Sequence, residues 1–356
     1  MKGRVLIVAG SDSGGGAGIQ ADIKAVTAMN AFAATAITAL TAQNTEGVHG
    51  VVAIDPAFIA QQIEVVLTDI GADALKTGML HSAEVIGVVA AALKKHAPGV
   101  PLVVDPVMVA KGGHRLLLSE AEAALRDTLM PMAALITPNL PEAEVLAGCP
   151  VRNEADMRRA AERLAGLGAK GVLLKGGHLE GDTVVDLLLH DGHFERFADP
   201  RIKSKDTHGT GCTLASAIAA GLAQKMSLKD AVAPARGYVR HAIETAPGFG
   251  RGGIGQSHHY PADAFERYAG GRIAGHQGEI GMDQAGMHYA RGVAGREWRV
   301  ATWNIGVSDQ RLEPGTEYAR VTFHSLGAVA IKRQVGVELG HEISFQEVVD
   351  SSGTSA

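Results

Sequence analysis

Short apolar runs alternate with helical patterns over the first 175 residues, and this alternation limits the possible folds more than any other feature. Strand-like runs occupy residues 5–9, 36–40, 74–76, 102–104, 134–137 and 171–175. Helical patterns occupy residues 56–69, 83–95, 120–129, 142–147 and 154–167. Several runs are apolar almost throughout, as expected for strands that are buried on both faces. The sequence therefore predicts an α/β fold with a mostly parallel sheet and helices on both sides.

Polar and glycine-rich loops follow the predicted strands. They include the loop that starts at Gly10, the loop that contains Gln43, and the segments Asp105-Pro106, Pro138-Asn139 and Lys175-Gly176-Gly177. Open parallel sheets bind their ligands at the carboxyl ends of the strands. We therefore expect the functional site at this edge of the sheet.

The composition changes after about residue 260. Both tryptophans, Trp298 and Trp303, lie in this last part, and residues 270–286 are rich in glycine. The runs "EWRVATWNIGV", "YARVTFHSL", "GAVAIKRQVGVEL" and "EISFQEVV" are typical of strands separated by turns. We predict a main domain over residues 1–262, a linker over 263–290 and a small β-rich C-terminal extension over 291–356, whose role stays open.

Charge and cysteine usage argue against several classes of protein. The net charge of −5 includes no block of basic residues, which argues against a nucleic-acid or membrane-surface partner. No apolar run reaches the roughly 18 residues of a membrane span, and the start of the chain is typical of a first strand. Two cysteines cannot form a disulfide framework. We expect a cytoplasmic protein.

The first glycine-rich segment, "GSDSGGGAGIQAD", follows the first predicted strand. No Lys-Ser/Thr pair follows its glycines, and its spacing does not fit G-x-G-x-x-G, so neither common nucleotide motif is present. Two interpretations stay open. The loop lets main chain approach a small flat substrate, with Asp12 and Asp22 as polar groups, or it is simply a flexible turn between strand and helix.

A second glycine-rich segment, "HGTGCTLASAIAA", leads directly into an Ala-rich helix. The main-chain N–H groups of Gly209, Thr210, Gly211 and Cys212 would form an anion pocket, because N–H groups at a helix N-terminus lack partners and carry partial positive charge. The same field is expected to lower the pKa of the Cys212 thiol from about 8.5, which would let it act as a base. The alternative is a small thiol that packs a helix start.

Seven motifs together resemble a known family. "GSDSGGGAGIQAD", "TAITALTAQNTEGV", "KTGML", "VVDPVMVAKGG", "LITPNLPEAEVL", "LLKGGH" and "HGTGCTLASAIAA" occur in this order within residues 1–260. They resemble the hydroxymethylpyrimidine/phosphomethylpyrimidine kinases of thiamine biosynthesis, in the ribokinase-like superfamily. The resemblance implies a ribokinase-like three-layer α/β/α sandwich.

The resemblance also implies the substrate site. Gln43 would recognise an aminopyrimidine, since a carboxamide offers both a donor and an acceptor. Asp22 would help to fix the same substrate, and Met79 and Val107 would contact the ring. Without the resemblance, Gln43 is better explained as a polar residue that caps a strand end.

For the nucleotide and its metal, the resemblance implies five further residues. Asp105 and Glu142 would hold Mg²⁺, which prefers carboxylate, water and phosphate oxygens. Asn139, Lys175 and Gly176 would contact the nucleotide. Each also has an ordinary structural explanation at a strand end or in a first helical turn.

The implied activity is transfer of the γ-phosphoryl group of ATP, with Mg²⁺, to the hydroxyl of 4-amino-5-hydroxymethyl-2-methylpyrimidine, and then to the resulting monophosphate. The transferring group would be held at residues 209–212. Two alternatives stay open: a pyridoxal or pyridoxine kinase, and a catalytically idle protein that binds a pyrimidine for regulation. We also expect a homo-oligomer, most simply a dimer. His208 could orient either the phosphate or the local packing, and Lys111 is a weaker phosphate candidate.

Overall fold

Nine strands of the first unit of the chain, Met1–Gly270, form one sheet. The computed structural model describes residues 2–108, 116–118, 120–204, 207–246 and 248–250, together with five short strands between residues 280 and 333. The sheet strands are β1 (Arg4–Asp12), β2 (Phe32–Gln43), β3 (Val48–Ala53), β4 (Ala74–Thr77), β5 (Leu102–Val104), β6 (Leu135–Ile136), β7 (Gly171–Lys175), β8 (Thr183–His190) and β9 (His193–Pro200).

The strand order is β3-β2-β1-β4-β5-β6-β7-β8-β9. All pairs from β2 to β7 are parallel, whereas β3, β8 and β9 join antiparallel at the two edges. The predicted strands coincide with the parallel part of the sheet. The three antiparallel edge strands were not predicted; two of them, β3 and β9, carry many exposed residues and therefore lack a continuous apolar run.

Eight α-helices accompany the sheet. They are α1 (Gly18–Ala28), α2 (Pro56–Asp69), α3 (Ala83–His96), α4 (Ala121–Ala124), α5 (Leu140–Ala147), α6 (Glu154–Gly166), α7 (Thr210–Ala223) and α8 (Leu228–Glu244) among the described residues. α4 continues as a π-helical turn over Leu125–Leu129 and a 3₁₀ turn over Met130–Met132.

Two apolar clusters cover the two faces of the sheet. Val5 and Ile7 of β1 pack with residues of α1, α7 and α8, whereas Leu6 and Val8 pack with residues of α2, α3, α5 and α6. Successive side chains of a strand point to opposite faces, so this division places helices on both sides of the sheet. The predicted α/β class is confirmed.

The second unit, Gly271–Ala356, contains short antiparallel pairings. β10 (Ile280–Met282), β11 (His288–Arg291) and β12 (Glu297–Val300) form one small sheet, and β13 (Tyr318–His324) pairs with β14 (Gly327–Arg333). Three predicted strand runs contain β12, β13 and β14, while "EISFQEVV" lies outside the described residues. β10 and the start of β11 fall within residues 263–290, so the predicted domain limits stay a prediction. None of the described helices has the length and apolar character that crossing a membrane requires.

Candidate active site

A cleft of about 980 Å³ lies at the carboxyl ends of the parallel strands. Parallel strands end at the same edge, so loops that are distant in sequence meet there. The predicted site residues that line the cleft are Gln43, Met79, Asp105, Val107, Asn139, Glu142, Lys175, Gly209, Thr210, Gly211 and Cys212. Two predicted residues, Asp22 and Gly176, are not among the lining residues, and Lys111 lies outside the described part of the chain.

The glycine loop of residues 12–18 is held by its own carboxylate. Asp12 Oδ1 accepts from Gly14 N at 2.7 Å, and Asp12 Oδ2 accepts from Gly16 N at 3.1 Å and Ala17 N at 2.8 Å. Burial alone would raise the pKa of Asp12, but hydrogen bonds from His208 and the loop amides lower it below its usual value. Asp12 is therefore an anchor for this loop, and the loop amides already have an anionic partner.

Gln43 ends β2 and is tied to the same loop. Ser13 Oγ donates to Gln43 O and accepts from Gln43 N, both at 2.8 Å. The Gln43 side chain lies beside Thr41 on one flank and His208 on the other, at 3.2 and 3.3 Å. The main chain and side chain of Gln43 are thus fixed before any ligand binds.

An apolar patch lies next to Gln43. Met79 and Leu116 are buried with Ala39, and Val107 packs against them. Met79 and Val107 also line the cleft. This patch offers the flat apolar contact that an aromatic ring requires, and a carboxamide lies beside it for polar recognition.

The glycine turn of residues 209–212 begins α7 without a capping side chain among the described residues. Gly209 is the N-cap with φ 76°, a left-handed conformation that favours glycine, and a Cβ there would overlap the carbonyl oxygen of Gly16. A Cβ on Gly211 would lie 3.1 Å from Lys175 Nζ. The first amides of α7 therefore face the cleft beside a lysine, as an anion site requires.

The Cys212 thiol does not have the predicted low pKa. It keeps some exposure to the cleft, yet the surrounding protein raises its pKa to about 12, chiefly by desolvation. Lys76 and an N–H from Gly18 act in the opposite direction, while Asp22 and Asp105 add to the increase. The helix field was predicted to dominate, and that expectation is wrong for the protein without ligand, because burial and two carboxylates outweigh it.

Lys76 lies beneath the cleft in a fully buried ion pair. Lys76 Nζ donates to both oxygens of Asp22, at 2.9 and 2.8 Å, and Ser216 Oγ donates to Asp22 at 2.7 Å. Asp22, which the resemblance assigned to the substrate, has no exposed surface. Its placement supports an indirect role through Lys76. Sequence reasoning gave Lys76 no role, although a lysine inside an otherwise apolar strand was the signal that could have found it.

Asp105, Lys175 and Glu142 form a charged cluster on the cleft wall. Asp105 Oδ1 accepts from Lys175 Nζ at 3.0 Å and from Thr137 Oγ1 at 3.1 Å. Burial raises the pKa of the Glu142 carboxyl to about 7. The positive charge of Lys175 lowers this pKa, but the negative charge of Asp105 offsets part of that effect. A carboxyl whose ionisation is so disfavoured would gain from an added cation.

These carboxylates fit the chemistry of Mg²⁺. Among the described residues no group of three or more His, Cys, Asp or Glu side chains forms a ready-made metal cage. Mg²⁺ does not require one, since it commonly binds one or two carboxylates, water and the phosphates of a nucleotide. Asp105 and Glu142 both line the cleft and meet that description.

Asn139 and Gly176 are engaged in local structure. Asn139 is the N-cap of α5, where its side chain accepts from Glu142 N at 3.0 Å while Glu142 accepts from Asn139 N at 2.9 Å. This reciprocal capping box fixes the Glu142 carboxylate. Gly176 N donates to Asp186 Oδ1 at 2.9 Å, so this amide is already paired inside the protein.

Several aliphatic residues also line the cleft, and sequence reasoning gave them no role. They come from α5, the segment after β9 and the last turns of α8: Pro141, Val145, Ile202, Val239 and Ile243. Charged residues of the same part of the chain line the cleft as well, among them Arg201, Arg236 and Arg240. Val145 is 48% exposed. Pro141 and Val145 lie within the motif "LITPNLPEAEVL" but were given no role there, and no motif marks Ile202, Val239 or Ile243.

Comparison with known proteins gives the family. A family model described as phosphomethylpyrimidine kinase matches residues 12–258. The hydroxymethylpyrimidine/phosphomethylpyrimidine kinase of Bacillus subtilis (strain 168) is 46% identical over 265 residues, which are 74% of this chain and 96% of that protein. The thiamine biosynthesis bifunctional protein of Geobacter sulfurreducens is 54% identical over 251 residues, which are 70% of this chain but 51% of that protein. The chain thus spans about half of this bifunctional relative.

A solved structure supports the fold. The pyridoxal kinase of Bacillus subtilis, solved as an ADP complex, matches with a TM-score of 0.68 and 36% identity over 75% of this chain and 99% of that chain. The predicted ribokinase-like α/β/α sandwich is therefore confirmed. With the family match over residues 12–258 and the arrangement of the cleft, the chain belongs to the phosphomethylpyrimidine kinase family.

Proposed function

We propose that this kinase transfers the γ-phosphoryl group of ATP to the hydroxyl of 4-amino-5-hydroxymethyl-2-methylpyrimidine, and then to the monophosphate, in thiamine biosynthesis. One observation carries the proposal. A carboxamide beside an apolar patch and a set of open helix amides beside a lysine line the same cleft, which suits a flat aminopyrimidine and a phosphoryl group. The kinases named among the relatives support this substrate class.

The ring lies against Met79 and Val107, and Gln43 pairs with its polar edge. In the first step the hydroxyl oxygen attacks the γ-phosphorus, the new O–P bond forms as the bond to ADP breaks, and the hydroxyl proton passes to water. In the second step a phosphate oxygen of the monophosphate attacks in the same way. The amides of residues 209–212 and Lys175 stabilise the charge on the transferring group. In such reactions positioning and electrostatic stabilisation supply most of the rate enhancement.

Cys212 lies at this point of transfer. With a pKa near 12 the thiol is protonated in the free protein. A loose transition state leaves the hydroxyl proton in place until transfer is well advanced, so no strong base is needed early. Cys212 guides the proton late in the reaction, and Lys76 offsets part of the desolvation that disfavours its thiolate.

Asp105 and Glu142 would hold Mg²⁺, which when bound neutralises phosphate charge and orients the nucleotide. Lys175 supplies a second positive charge on the phosphates. The nucleotide base would lie beside the aliphatic residues of α5 and α8 that line the cleft, and Asn139 caps the start of α5.

A pyridoxal kinase is the second candidate, because the solved neighbour is one. Pyridoxal also presents a hydroxymethyl group on a flat heterocycle. It lacks the adjacent ring nitrogen and exocyclic amine, so it would present a different set of donors and acceptors to the Gln43 carboxamide. An idle regulator is the third, and the intact charged cluster of Asp105, Glu142 and Lys175 argues against it.

The test is coupled ADP release with the aminopyrimidine, its monophosphate and pyridoxal as acceptors. We expect turnover with the two pyrimidines and at most weak turnover with pyridoxal. Lys175→Ala should lower kcat about 100-fold, because one charge on the transferring group is lost. Lys170→Ala removes an exposed lysine just before the same strand and should leave kcat unchanged. Pyridoxal as the preferred acceptor, or no turnover, would overturn the proposal.

Two further expectations stay proposals. We propose that the chain acts as a homodimer, which light scattering after size-exclusion chromatography would measure as twice the monomer mass of 36.9 kDa. We also propose a cytoplasmic location, which fractionation of cells that express the chain would test.

A further inference from the structure

The carboxamide of Gln43 lies between two groups whose hydrogen-bonding roles are set by other contacts. Thr41 Oγ1 lies 3.2 Å from the Oε1 position, and His208 Nε2 lies 3.3 Å from the Nε2 position. The oxygen and nitrogen of a carboxamide have nearly the same shape, so the surrounding hydrogen bonds decide which atom occupies which position.

On the His208 side, the partner that decides is Asp12. Asp12 Oδ2 lies 3.2 Å from the same ring nitrogen, and this carboxylate also accepts three loop amides. An ionised carboxylate only accepts hydrogen bonds, so His208 Nε2 must carry a hydrogen and donate it. A nitrogen that carries a hydrogen cannot accept from an amide N–H. The atom of Gln43 that faces His208 must therefore be the oxygen.

On the Thr41 side, the partner that decides is a main-chain carbonyl. Thr41 Oγ1 donates to Ser11 O at 2.9 Å, and a hydroxyl has a single hydrogen. Thr41 can then only accept from Gln43. The atom of Gln43 that faces Thr41 must therefore be the nitrogen. The two flanks are independent of each other, and both require the same orientation.

We infer that the Gln43 carboxamide is held with its oxygen toward His208 and its nitrogen toward Thr41, and that Thr41, His208 and Asp12 are positioning residues that set the order of donor and acceptor shown to the substrate. The inference rests on the proposed function and deepens it. After these contacts, the carboxamide nitrogen still has one N–H and the carboxamide oxygen still has one lone pair for hydrogen bonds to the ligand.

This order fixes how an aminopyrimidine lies in the cleft. Its exocyclic amine donates to the Gln43 oxygen on the His208 side, and the adjacent ring nitrogen accepts from the Gln43 nitrogen on the Thr41 side. The hydroxymethyl carbon is attached on the other side of the amine, so it extends toward His208. His208 is followed directly by Gly209 and the glycine turn of α7. The opposite carboxamide orientation would direct the hydroxyl toward Thr41, away from the phosphoryl site.

A matched pair of ligands tests the inference by calorimetry. In the 4-oxo analogue of the substrate, the ring nitrogen carries a hydrogen and donates, and the exocyclic oxygen accepts. The order of donor and acceptor is therefore the reverse of that in the aminopyrimidine. We expect the wild type to bind the amine about 100-fold more tightly, since the reversed edge opposes donor to donor and acceptor to acceptor. Thr41→Val should lower this ratio about tenfold, whereas Thr41→Ser, which keeps the hydroxyl, should preserve it.

The double variant Thr41→Val/His208→Leu removes both directing groups. It should bind the two ligands with affinities within a few-fold of each other, and it should bind the oxo analogue more tightly than the wild type does. Unchanged melting and ADP binding confirm that the variants fold. A ratio that stays at its wild-type value, or an equal loss for both ligands, overturns the inference. If the wild type binds the amine without phosphorylating it, the proposed function fails and the binding ratio still decides the inference. Binding of neither ligand overturns both.

Discussion

The glycine loop of residues 12–18 and the glycine turn of residues 209–212 meet across the cleft, where a Cβ on Gly209 would overlap the carbonyl oxygen of Gly16. Both segments are rich in glycine, and each leads directly into a helix, the loop into α1 and the turn into α7. Their amides are in opposite states. Asp12 accepts from three amides of the loop, whereas α7 begins without any side-chain cap among the described residues.

The difference shows that glycine content does not by itself mark an anion site. Glycine permits close approach and unusual backbone angles, but binding of an anion requires donors that have no partner. The loop has its own anion built in, and it uses its rigidity to hold Gln43 through Ser13. No side chain of the described residues caps the start of α7, and Lys175 lies beside the turn. In the proposed reaction, the loop would position the acceptor and the turn would receive the phosphoryl group.

The largest expected effect concerns the thiol of the glycine turn. In a Cys149→Ser background, iodoacetamide should alkylate Cys212 at pH 8 about 10³-fold more slowly than a free thiol, because a pKa near 12 leaves little thiolate. The rate should increase with pH without a plateau up to pH of about 10, and urea-unfolded protein should react normally. Mass spectrometry follows the adduct. A plateau below pH of about 9 would show that the open helix end does activate the thiol.

The second effect is on catalysis. Gly209→Ala places a side chain at a positive φ and against Gly16, so it separates the turn from the loop and displaces the open amides. We expect kcat to fall about 100-fold, as when a donor to a transition-state oxygen is lost. Gly87→Ala, on the exposed face of α3, is the control, since no atom lies within 4 Å of the new Cβ. A kcat within twofold of the wild type, in a folded variant, would remove the turn from the mechanism.

The thiol and the ion pair show where sequence reasoning fails in this protein. The parallel strands and the loops at their ends were predictable because each is a local pattern. The pKa of Cys212 was predicted in the wrong direction, because the helix field is local whereas desolvation by packed neighbours is not. The pairing of Lys76 with Asp22 joins residues 54 apart, and Ser216 reaches the same carboxylate from 194 residues away. Only the folded chain brings them together.

The same limit applies to Gln43. The sequence marks it as a strand-end carboxamide, and the resemblance gives its partner. Its orientation depends on Asp12 and His208, which are 196 residues apart. The capping box of Asn139 and Glu142, in contrast, is a four-residue pattern that sequence alone can reveal. Local features of the site were thus within reach, and features that join distant segments were not.

The third effect is on stability. Asp12→Asn replaces a charged acceptor of three amides by a neutral group that also donates, so it should lower the free energy of unfolding by about 2 kcal/mol. The folded-state pKa of Asp12 lies below the ordinary 3.8, so this contribution is present above that pH and is lost as the pH falls below it. Urea unfolding of both proteins between pH 7 and about pH 3 measures the difference. Asp69→Asn, at an exposed helix end, is the control. A difference that grows on acidification would contradict the anchor role.

The smallest effect separates the two segments directly. Inorganic phosphate should bind the open amides weakly, and a ligand at a few times its Kd stabilises a protein by about 1 kcal/mol, or about 2 °C in Tm. Gly211→Ala should abolish this shift, because its Cβ would lie 3.1 Å from Lys175 Nζ and displace the lysine from the turn. Asp12→Asn should keep the shift, since it leaves the start of α7 and Lys175 unchanged. Differential scanning fluorimetry in phosphate against chloride of equal ionic strength gives the comparison. The opposite result would be loss of the phosphate-induced increase in Tm in Asp12→Asn but not in Gly211→Ala. It would show that the anion binds at the loop and not at the start of α7.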